Sequence, residues 1–305
     1  MDIVTGSFGY IGKYITRRLL ATGRQVRTIT THPNKPNPFG SQVQAFPYEF
    51  NRPSELLRSF DGVDTLYNTY WIRFPHDDQT FESALANTRV LFECARKAGV
   101  SKIVQISVTH ASPRSDLPYY QGKGIQEKML TDLDIPHVIV RPTLVFGQED
   151  ILVNNIAWLI RKFPIFPVFG DGNYRVQPVY VEDLAQIAVN LADAPSGTVV
   201  DAIGPEIHSF KDFLELIADT LSRRTRLIHV PASIGILMGK IIGPFVGDNI
   251  LTKNELRGLM EEYLVSRNNR NGETRFSEWL QINRDTVGTV YTSEIGRHFD
   301  WKPGR

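Results

Sequence analysis

Apolar residues follow two alternating patterns over the first half of the chain. Short apolar runs predict buried strands, and the longer segments between them carry an apolar residue at every third or fourth position, as amphipathic helices do. The predicted strands cover residues 3–4, 26–31, 43–46, 64–68, 102–107 and 137–147. The predicted helices cover residues 11–20, 53–60, 81–97 and 119–134. Strands and helices in this alternation predict a parallel sheet with helices on both faces.

A glycine-rich turn, TGSFGYIG, separates the first predicted strand from the first predicted helix. In such a turn the first glycine permits a tight bend, the second lets the backbone approach a pyrophosphate, and the third lets the helix pack closely on the sheet. The phosphates would lie at the positive end of the helix. Glycine-rich turns also occur for purely structural reasons. The turn nevertheless predicts a dinucleotide site formed by Gly6, Ser7, Phe8, Gly9, Tyr10, Ile11 and Gly12.

Beyond Gly147 the pattern is less regular, and helices alternate with a segment punctuated by proline and glycine. We therefore predict an α/β fold in which a Rossmann-type, doubly wound parallel sheet occupies residues 1–150, with residues 171–204 returning to it. Residues 151–170 and 205–305 are predicted to form a smaller C-terminal substrate-binding or cap region.

Further candidate cofactor residues lie at the carboxyl ends of the predicted strands, where open parallel sheets bind their ligands. They are Thr31, His32 and Lys35 after the second strand, Glu49 and Phe50 after the third, Asn68 in the fourth and Ser107 in the fifth. Glu49 and Phe50 could flank an adenine or belong to an ordinary loop. The second strand is followed by no acidic residue that would bind the ribose of NAD and repel the extra phosphate of NADP. NADP is therefore slightly favoured over NAD, with Ser7 as a further contact, although no arginine is present to grip the phosphate.

Two side chains on the predicted helix at 119–134 could carry acid–base chemistry. Tyr119 and Lys123 are four residues apart, so both can project from one helix face. A nearby ammonium favours the phenolate and lowers the pKa of a tyrosine. Thr109, beyond the fifth strand, could bind a substrate oxygen, and Ser107 is the alternative donor. The other interpretation is a surface tyrosine and lysine on an ordinary helix.

Aromatic residues directly follow the fourth predicted strand in the segment TYWIRFPHDDQTF. A substrate pocket could be lined by Tyr70, Trp71, Arg73, Phe74 and His76, or the aromatic residues could belong to the core or to an interface. His76, Asp77 and Asp78 do not indicate a metal site, because no second cluster has ligand spacing. The sequence contains no GxSxG, CxxC or Walker motif that would indicate a hydrolase or a nucleotidase.

Composition narrows the range of partners. The chain has 305 residues, 42% of them hydrophobic, and a net charge of +1, which predicts no general attraction to nucleic acid or to an anionic membrane. The single cysteine, Cys94, is predicted to be a buried structural thiol, and it suits a reducing compartment. No export signal and no transmembrane segment is evident, so we expect a cytoplasmic protein. The apolar stretch at 234–246 could form a core helix, a subunit interface or an amphipathic element on a membrane surface.

Four motifs in order, TGSFGYIG, YYQGK, VRPTLVFG and QPVYVEDLA, resemble the extended and atypical short-chain dehydrogenase/reductase superfamily. The resemblance is closest to its epimerase/dehydratase, complex I accessory-subunit-like and NmrA-like branches. It implies that Tyr119 is the acid/base, that Lys123 is its partner and cofactor contact, and that Thr109 is the hydroxyl donor. It also implies that Asn87 organises the site and that Pro142 lies where the substrate region begins. Gly122 and Gly124 depart from this pattern, because each weakens a helix by about 1 kcal/mol relative to alanine.

The leading hypothesis is an NAD(P)-dependent oxidoreductase or epimerase-like enzyme. It would transfer hydride between nicotinamide and a small carbonyl or alcohol substrate, with Tyr119 moving the proton. The alternative is a non-catalytic NAD(P)-binding regulator or accessory subunit that binds a protein or quinone partner. A homodimer is compatible with either hypothesis. A redox-inert homologue that binds no nucleotide is the third interpretation.

Overall fold

The computed structural model describes residues 1–231 and 252–298. The chain divides into two compact units, which are Met1–Pro142 with Val181–Ala202, and Thr143–Tyr180 with the described part of Ile203–Arg305. The apolar stretch at 234–246 lies outside the described residues.

Strands and helices alternate through most of the described chain. The strands are β1 (Asp2–Thr5), β2 (Val26–Thr30), β3 (Val43–Pro47), β4 (Thr65–Asn68), β5 (Lys102–Ile106), β6 (His137–Pro142), β7 (Leu144–Phe146), β8 (Ile165–Phe169), β9 (Arg175–Val176), β10 (Pro178–Tyr180), β11 (Thr198–Ala202), β12 (His208–Ser209) and β13 (Arg226–Val230). The helices are α1 (Tyr10–Ala21), α2 (Pro53–Arg58), α3 (Phe81–Lys97), α4 (Pro118–Asp132), α5 (Leu152–Lys162), α6 (Val181–Asn190), α7 (Phe210–Thr220), α8 (Lys253–Met260), α9 (Phe276–Ile282) and α10 (Glu294–His298).

The first unit is built on a seven-stranded parallel sheet in the order β11-β6-β5-β4-β1-β2-β3. Strand side chains such as Ile3, Leu66 and Ile103 share one core cluster with residues of α2, α3 and α4. Helix α1 packs against α6 instead. These helix contacts confirm the predicted doubly wound parallel sheet. In such a sheet the continuous apolar strands are covered by helices on both faces.

Two strands of the sequence-based interpretation need correction. The predicted strand at 137–147 is in fact two strands, because β6 ends before Thr143 and β7 begins after it. Strand β7 pairs with β10 in a separate two-stranded sheet. Residues 143–150 and 171–180 therefore belong to the second unit. Strand β11 was not predicted; it pairs with β6 at the edge of the sheet, and its half-exposed side chains produce no clear apolar run.

The second unit has its own aromatic core, in which Phe146, Phe213, Phe276 and Trp279 are buried. Strand β13 pairs in parallel with β8. Cys94, in the first unit, is buried as predicted. Among the described residues, no helix has both the length and the apolar character that crossing a bilayer requires.

Candidate functional site

The glycine-rich turn joins β1 to α1 by a bend that only small residues allow. Gly6 has a φ of +68°, in the left-handed region that favours glycine. The N–H of Gly9 donates to the carbonyl of Gly6 at 2.8 Å. A Cβ at Gly12 would lie 2.3 Å from that carbonyl oxygen and 3.0 Å from the carbonyl oxygen of Thr5. The helix therefore begins in direct contact with the end of the strand.

The N-terminus of α1 has the features of an anion-binding site. Its N-cap residue, Gly9, is exposed and offers no side-chain cap, and the first turn contains no acidic residue. First-turn N–H groups have no acceptor within the helix, and the helix dipole is positive at this end. Their arrangement around a glycine-rich bend fits a diphosphate.

Ser7 stabilises the turn from inside. Its hydroxyl donates to the Val4 carbonyl at 3.3 Å and accepts from Thr16 Oγ1 at 2.7 Å, and its N–H donates to Thr28 Oγ1 at 3.0 Å. Ser7 is fully buried. The side chain is therefore turned away from solvent, and the suggestion that Ser7 assists NADP binding loses its support.

The loop after β2 brings three predicted cofactor residues together at the carboxyl edge of the sheet. Thr31 is exposed, whereas His32 and Lys35 are half-buried. The N–H of Lys35 donates to the carbonyl of His32 at 3.1 Å, which closes a turn. Basic residues and a threonine thus stand where an acid would select NAD.

The side chains of Glu49 and Phe50, which follow β3, make different contacts. Glu49 forms an ion pair with Arg52 at 2.8 Å. Phe50 stacks on Tyr48, with ring centroids 4.8 Å apart, and lies 5.3 Å from the ring of Tyr70. Burial raises the pKa of Tyr48 well above its ordinary value. Phe50 therefore lies in an aromatic cluster beside the sheet edge, and Glu49 faces a surface arginine.

A buried chain of polar side chains runs beneath this edge. Asn68 Oδ1 accepts from Thr5 Oγ1 at 3.1 Å, and Asn68 Nδ2 donates to Gln105 Oε1 at 2.8 Å. Gln105 Nε2 donates to Gln126 Oε1 at 3.3 Å, and Gln126 Nε2 donates to Thr88 Oγ1 at 2.8 Å. Asn68 is thus bound to neighbouring side chains. The two glutamines were missed at the sequence level, although a glutamine inside the apolar run KIVQIS was a usable signal.

Asn87, which the family resemblance places near the site, holds an aromatic side chain. Its Nδ2 donates to the hydroxyl of Tyr70 at 3.0 Å. Tyr70 is itself part of the cluster with Tyr48 and Phe50. Asn87 therefore fixes the first residues that follow β4.

Tyr119 and Lys123 lie on α4, as predicted, but Lys123 is only 3% exposed. Its Nζ donates to the carbonyl of Ile106 at 2.9 Å. Burial lowers the pKa of Lys123 to about 7, although Glu127 favours the charged form. The amine is therefore only partly protonated at neutral pH, which weakens its influence on the Tyr119 phenol.

Trp71 covers this part of α4. A Cβ on Gly122 would lie 2.5 Å from its indole ring, and the Nζ of Lys123 lies 5.3 Å from the ring centroid. Phe81 stacks on the indole at 5.6 Å, and Tyr119 meets it edge-on at 6.4 Å. The indole N–H is buried and has no hydrogen-bond partner among the described residues. Trp71 thus separates Lys123 from solvent, and the absence of a side chain at Gly122 makes room for it.

Both predicted hydroxyl donors bind protein groups. Ser107 Oγ donates to Glu127 Oε1 at 2.5 Å, and Glu127 also pairs with Arg141 at 2.5 Å. Thr109 is almost fully buried, and its Oγ1 donates to the carbonyl of Pro142 at 3.5 Å. The structure therefore places Ser107, Thr109 and Pro142 at or just beyond the ends of β5 and β6, with the Ser107 hydroxyl bound to Glu127 and the Thr109 hydroxyl bound to Pro142.

His76 and Asp77 are neighbours in the aromatic segment after β4. His76 approaches Asp77 at 3.5 Å. No group of three or more His, Cys, Asp or Glu residues in the described part of the chain could hold a metal ion.

A sequence model of the NAD dependent epimerase/dehydratase family matches residues 3–202. Among curated proteins, the chain is similar to subunit 9 of the mitochondrial NADH dehydrogenase (ubiquinone) 1 alpha subcomplex. Identity to the Arabidopsis thaliana protein is 25% over 284 residues, or 87% of this chain and 71% of the relative. Identity to the Dictyostelium discoideum protein is 25% over 314 residues, or 94% of this chain and 76% of the relative.

Solved structures share the fold at low sequence identity. A nucleoside-diphosphate-sugar epimerase from Staphylococcus aureus has a TM-score of 0.71 at 17% identity, covering 92% of this chain and 99% of that one. A Citrobacter sp. triphenylmethane reductase complexed with NADP(H) has a TM-score of 0.70 at 18% identity, covering 95% of both chains. A Thermus thermophilus UDP-glucose 4-epimerase complexed with NAD has a TM-score of 0.69 at 19% identity, covering 95% of this chain and 99% of that one.

Proposed function

Because the chain belongs to the NAD dependent epimerase/dehydratase family, we propose that its first unit binds a nicotinamide dinucleotide along the carboxyl edge of the seven-stranded sheet. The observation that carries this proposal is the turn between β1 and α1, where Gly12 packs against the carbonyl of Gly6 and the helix N-terminus has no side-chain cap. Such a turn holds a diphosphate by backbone N–H groups and the helix dipole. Solved relatives of this fold carry NAD or NADP(H), which supports the same ligand class here.

We further propose that the bound nucleotide serves a structural or sensing role in an accessory subunit. Lys123 lies beneath Trp71, Ser107 is bound to Glu127, and the Thr109 hydroxyl points to the Pro142 carbonyl. The lysine and the two hydroxyl groups that would assist Tyr119 in proton transfer are therefore engaged inside the protein. The curated relatives that cover most of the chain are named as subunits of NADH dehydrogenase.

The second candidate is an NAD(P)-dependent oxidoreductase or epimerase-like enzyme, and one observation favours it. Tyr119 and Lys123 stand four residues apart on α4, and the amine has a pKa near 7, in the range where a lysine can exchange protons at neutral pH. A bound nicotinamide would supply or accept hydride. Tyr119 would deliver or remove the proton at a small carbonyl or alcohol. This chemistry requires Trp71 to leave the surface of Gly122, so that Lys123 can reach the nucleotide.

Calorimetric titration of the purified protein with NADPH and with NADH tests nucleotide binding. We expect NADPH to bind more tightly, because the loop after β2 contains His32 and Lys35 and no acid. Thr31→Asp should weaken NADPH binding and leave NADH binding nearly unchanged, since a carboxylate there repels only the additional phosphate. If neither nucleotide binds, the proposal is wrong.

A reductase screen run beside a partner pull-down separates the two roles. An accessory subunit should bind nucleotide and partner without consuming reduced cofactor. If turnover is found, Tyr119→Phe should abolish it and leave nucleotide affinity within about twofold, because the phenol hydroxyl then acts only in proton transfer. Undiminished turnover in that variant would exclude Tyr119 as the acid/base.

A further inference from the structure

One face of the two-stranded sheet that β8 and β13 form in the second unit is apolar and open to solvent. Strands β8 and β13 run in parallel, with Arg226 opposite Ile165 and Ile228 opposite Pro167. Side chains of one parity, such as Phe166 and Val168, are buried in the core. Those of the other parity face outward, and Ile165 is 50% exposed and Ile228 37% exposed. Phe163, which precedes β8, is also 50% exposed.

Cations without acidic partners surround this apolar face. The segments 162–169 and 222–231 contain four exposed basic residues, Lys162, Arg223, Arg224 and Arg226, and no aspartate or glutamate. Within the described part of the chain, none of the four forms an ion pair. The pKa of neighbouring Arg161 is lowered by burial and by the charge of Arg223. Positive charge therefore accumulates here.

Several exposed arginines elsewhere in the described part of the chain form ion pairs with acids. Arg17 pairs with Glu182 at 3.0 Å, Arg52 with Glu49 at 2.8 Å, and Arg257 with Glu261 at 2.6 Å. The net charge of the whole chain is only +1. The concentration of unpaired charge next to β8 and β13 is thus a local property that overall composition conceals.

Aromatic rings border the same face. Phe163 meets Trp158 edge-on at 6.2 Å, and Trp158 meets Tyr291 at 5.2 Å. Aromatic rings with an apolar body and a polar edge are enriched where protein meets the headgroup region of a membrane.

We propose that this basic apolar face, formed by Lys162, Phe163, Ile165, Arg223, Arg224, Arg226 and Ile228, binds the surface of an anionic phospholipid bilayer. The four cations complement anionic headgroups, and the three apolar side chains enter the boundary between headgroups and acyl chains. A nucleic acid or an acidic protein segment would use the cations but has no comparable need for Phe163 and Ile165. The contact is peripheral and does not depend on the proposed nucleotide site, because every residue belongs to the second unit.

Co-sedimentation of the full chain with vesicles tests the proposal. One vesicle preparation is phosphatidylcholine alone, and the other contains about one third phosphatidylserine. We expect binding to the second preparation only. This binding should decrease strongly as the salt concentration rises, because salt screens exposed charges. Replacing Arg223, Arg224 and Arg226 together by glutamine should reduce partitioning about a hundredfold, because each cation near such a surface contributes about fivefold.

Two further variants complete the experiment. Phe163→Ser with Ile165→Ser should reduce partitioning about tenfold without altering charge. Glutamine at Arg17, Arg52 and Arg257 is the matched control, since it removes the same charge from exposed, acid-paired positions, and it should bind like the wild type. Thermal unfolding checks that all variants are folded.

Absence of binding to phosphatidylserine vesicles at low salt would overturn the proposal. So would a loss of binding in the matched control equal to that in the Arg223, Arg224 and Arg226 variant, because attraction would then follow net charge alone. Equal retention on heparin and on vesicles, unaffected by the two serine substitutions, would identify a general polyanion surface and overturn the assignment to lipid.

Discussion

The amine of Lys123 lies inside the first unit, where loss of hydration governs its protonation. Its Nζ donates to the Ile106 carbonyl, and the Trp71 ring lies 5.3 Å away. Burial lowers its pKa from the ordinary 10.5 to about 7. Between these two values the unfolded chain holds a proton that the folded protein has released. The free energy of unfolding therefore rises with pH across this window. The destabilising contribution of Lys123 has its full size below pH 7.

Lys123→Met should raise the free energy of unfolding most at acidic pH. Methionine fills similar volume without a charge to desolvate, and Glu127 keeps its partner Arg141. The stability difference between variant and wild type should shrink by up to about 1.4 kcal/mol per pH unit as pH rises through the window. Urea unfolding of both proteins from about pH 6 to about pH 9.5 measures it. Parallel stability curves would show that Lys123 is solvated in the folded state.

Trp71→Ala should uncover Lys123 to amine-specific acylation. The indole ring covers the amine in the folded protein, so labelling there must await local opening. Exposed Lys128, on the same helix, provides an internal reference. In wild type we expect Lys123 to react at least about tenfold more slowly than Lys128, and in Trp71→Ala at a comparable rate, as measured by peptide mass spectrometry.

Trp71→Phe is the control for this experiment, since a smaller ring can still rest on Gly122. Its labelling ratio should stay near that of the wild type. Rapid labelling of Lys123 in the wild-type protein would show that Trp71 does not cover the amine. It would favour the enzymatic role over the accessory one.

At the scale of elements, α4 and the segment after β4 fit each other through a missing side chain. Gly122 lies in the helix interior, where alanine would ordinarily add about 1 kcal/mol of stability. Here a Cβ would lie 2.5 Å from two carbon atoms of the Trp71 ring, and Phe81 stacks on that ring. The departure from good helix-forming sequence at Gly122 thus has a packing cause.

A double-mutant cycle can measure this fit. Gly122→Ala alone should destabilise by about 1–3 kcal/mol, because it overpacks the contact. In the Trp71→Ala background the same substitution should be neutral or stabilising by up to about 1 kcal/mol. Urea unfolding of the four proteins gives the coupling energy. Additive effects would mean that the ring does not lie on Gly122 in solution.

In the turn between β1 and α1, we expect one glycine to be needed for stability and another for nucleotide binding. Gly12→Ala should cost at least about 2 kcal/mol of stability, because the new methyl group would meet backbone at 2.3 Å. Gly9 is exposed, and its Cβ would lie 3.2 Å from the Gly6 carbonyl oxygen. Gly9→Ala should therefore change stability by less than about 1 kcal/mol and yet lower nucleotide affinity at least about tenfold.

Paired calorimetric titrations and unfolding curves on both variants provide the measurement. Undiminished nucleotide affinity in Gly9→Ala would place the phosphates elsewhere. Gly296→Ala, where a Cβ would make only ordinary contacts at 3.5 Å, is the control for glycine replacement as such.

The parts of the site that were predictable from sequence are those set by local geometry. Gly6, Gly9 and Gly12 occur between a strand and a helix, and strand ends locate the sheet edge. The position of Trp71 was not predictable, because it depends on the packing of residues about fifty positions apart, with nothing periodic to reveal it. The partners of Ser7 and Ser107 were equally hidden, since a serine in a motif does not show which way its hydroxyl points.

At the scale of the whole molecule, the sheet of the first unit is completed by distant sequence. Strand β11 pairs with β6 only after the chain has contributed residues 143–180 to the second unit. The sequence predicts that residues 171–204 return to this sheet, and residues 181–202 do so. Strand β11 itself was missed because Val199 is half exposed and Asp201 interrupts its apolar residues. An edge strand held by one neighbour needs little of the hydrophobic pattern that marks an inner strand.

This topology predicts that residues 1–142 cannot fold alone. Without residues 181–202, β6 loses one of the two strands that pair with it, and α1 loses its packing against α6, whose side chains Leu184 and Ala188 are buried. We expect residues 1–142 to lack a cooperative unfolding transition.

A chain in which a flexible glycine–serine linker replaces residues 143–180 and which ends at Ile203 should unfold cooperatively and bind the dinucleotide, because it restores the first unit. Circular dichroism melts and nucleotide titrations of both chains measure this. Equal cooperativity in the two would mean that β11 and α6 are dispensable, and that the glycine-turn end of the sheet folds independently of its far edge.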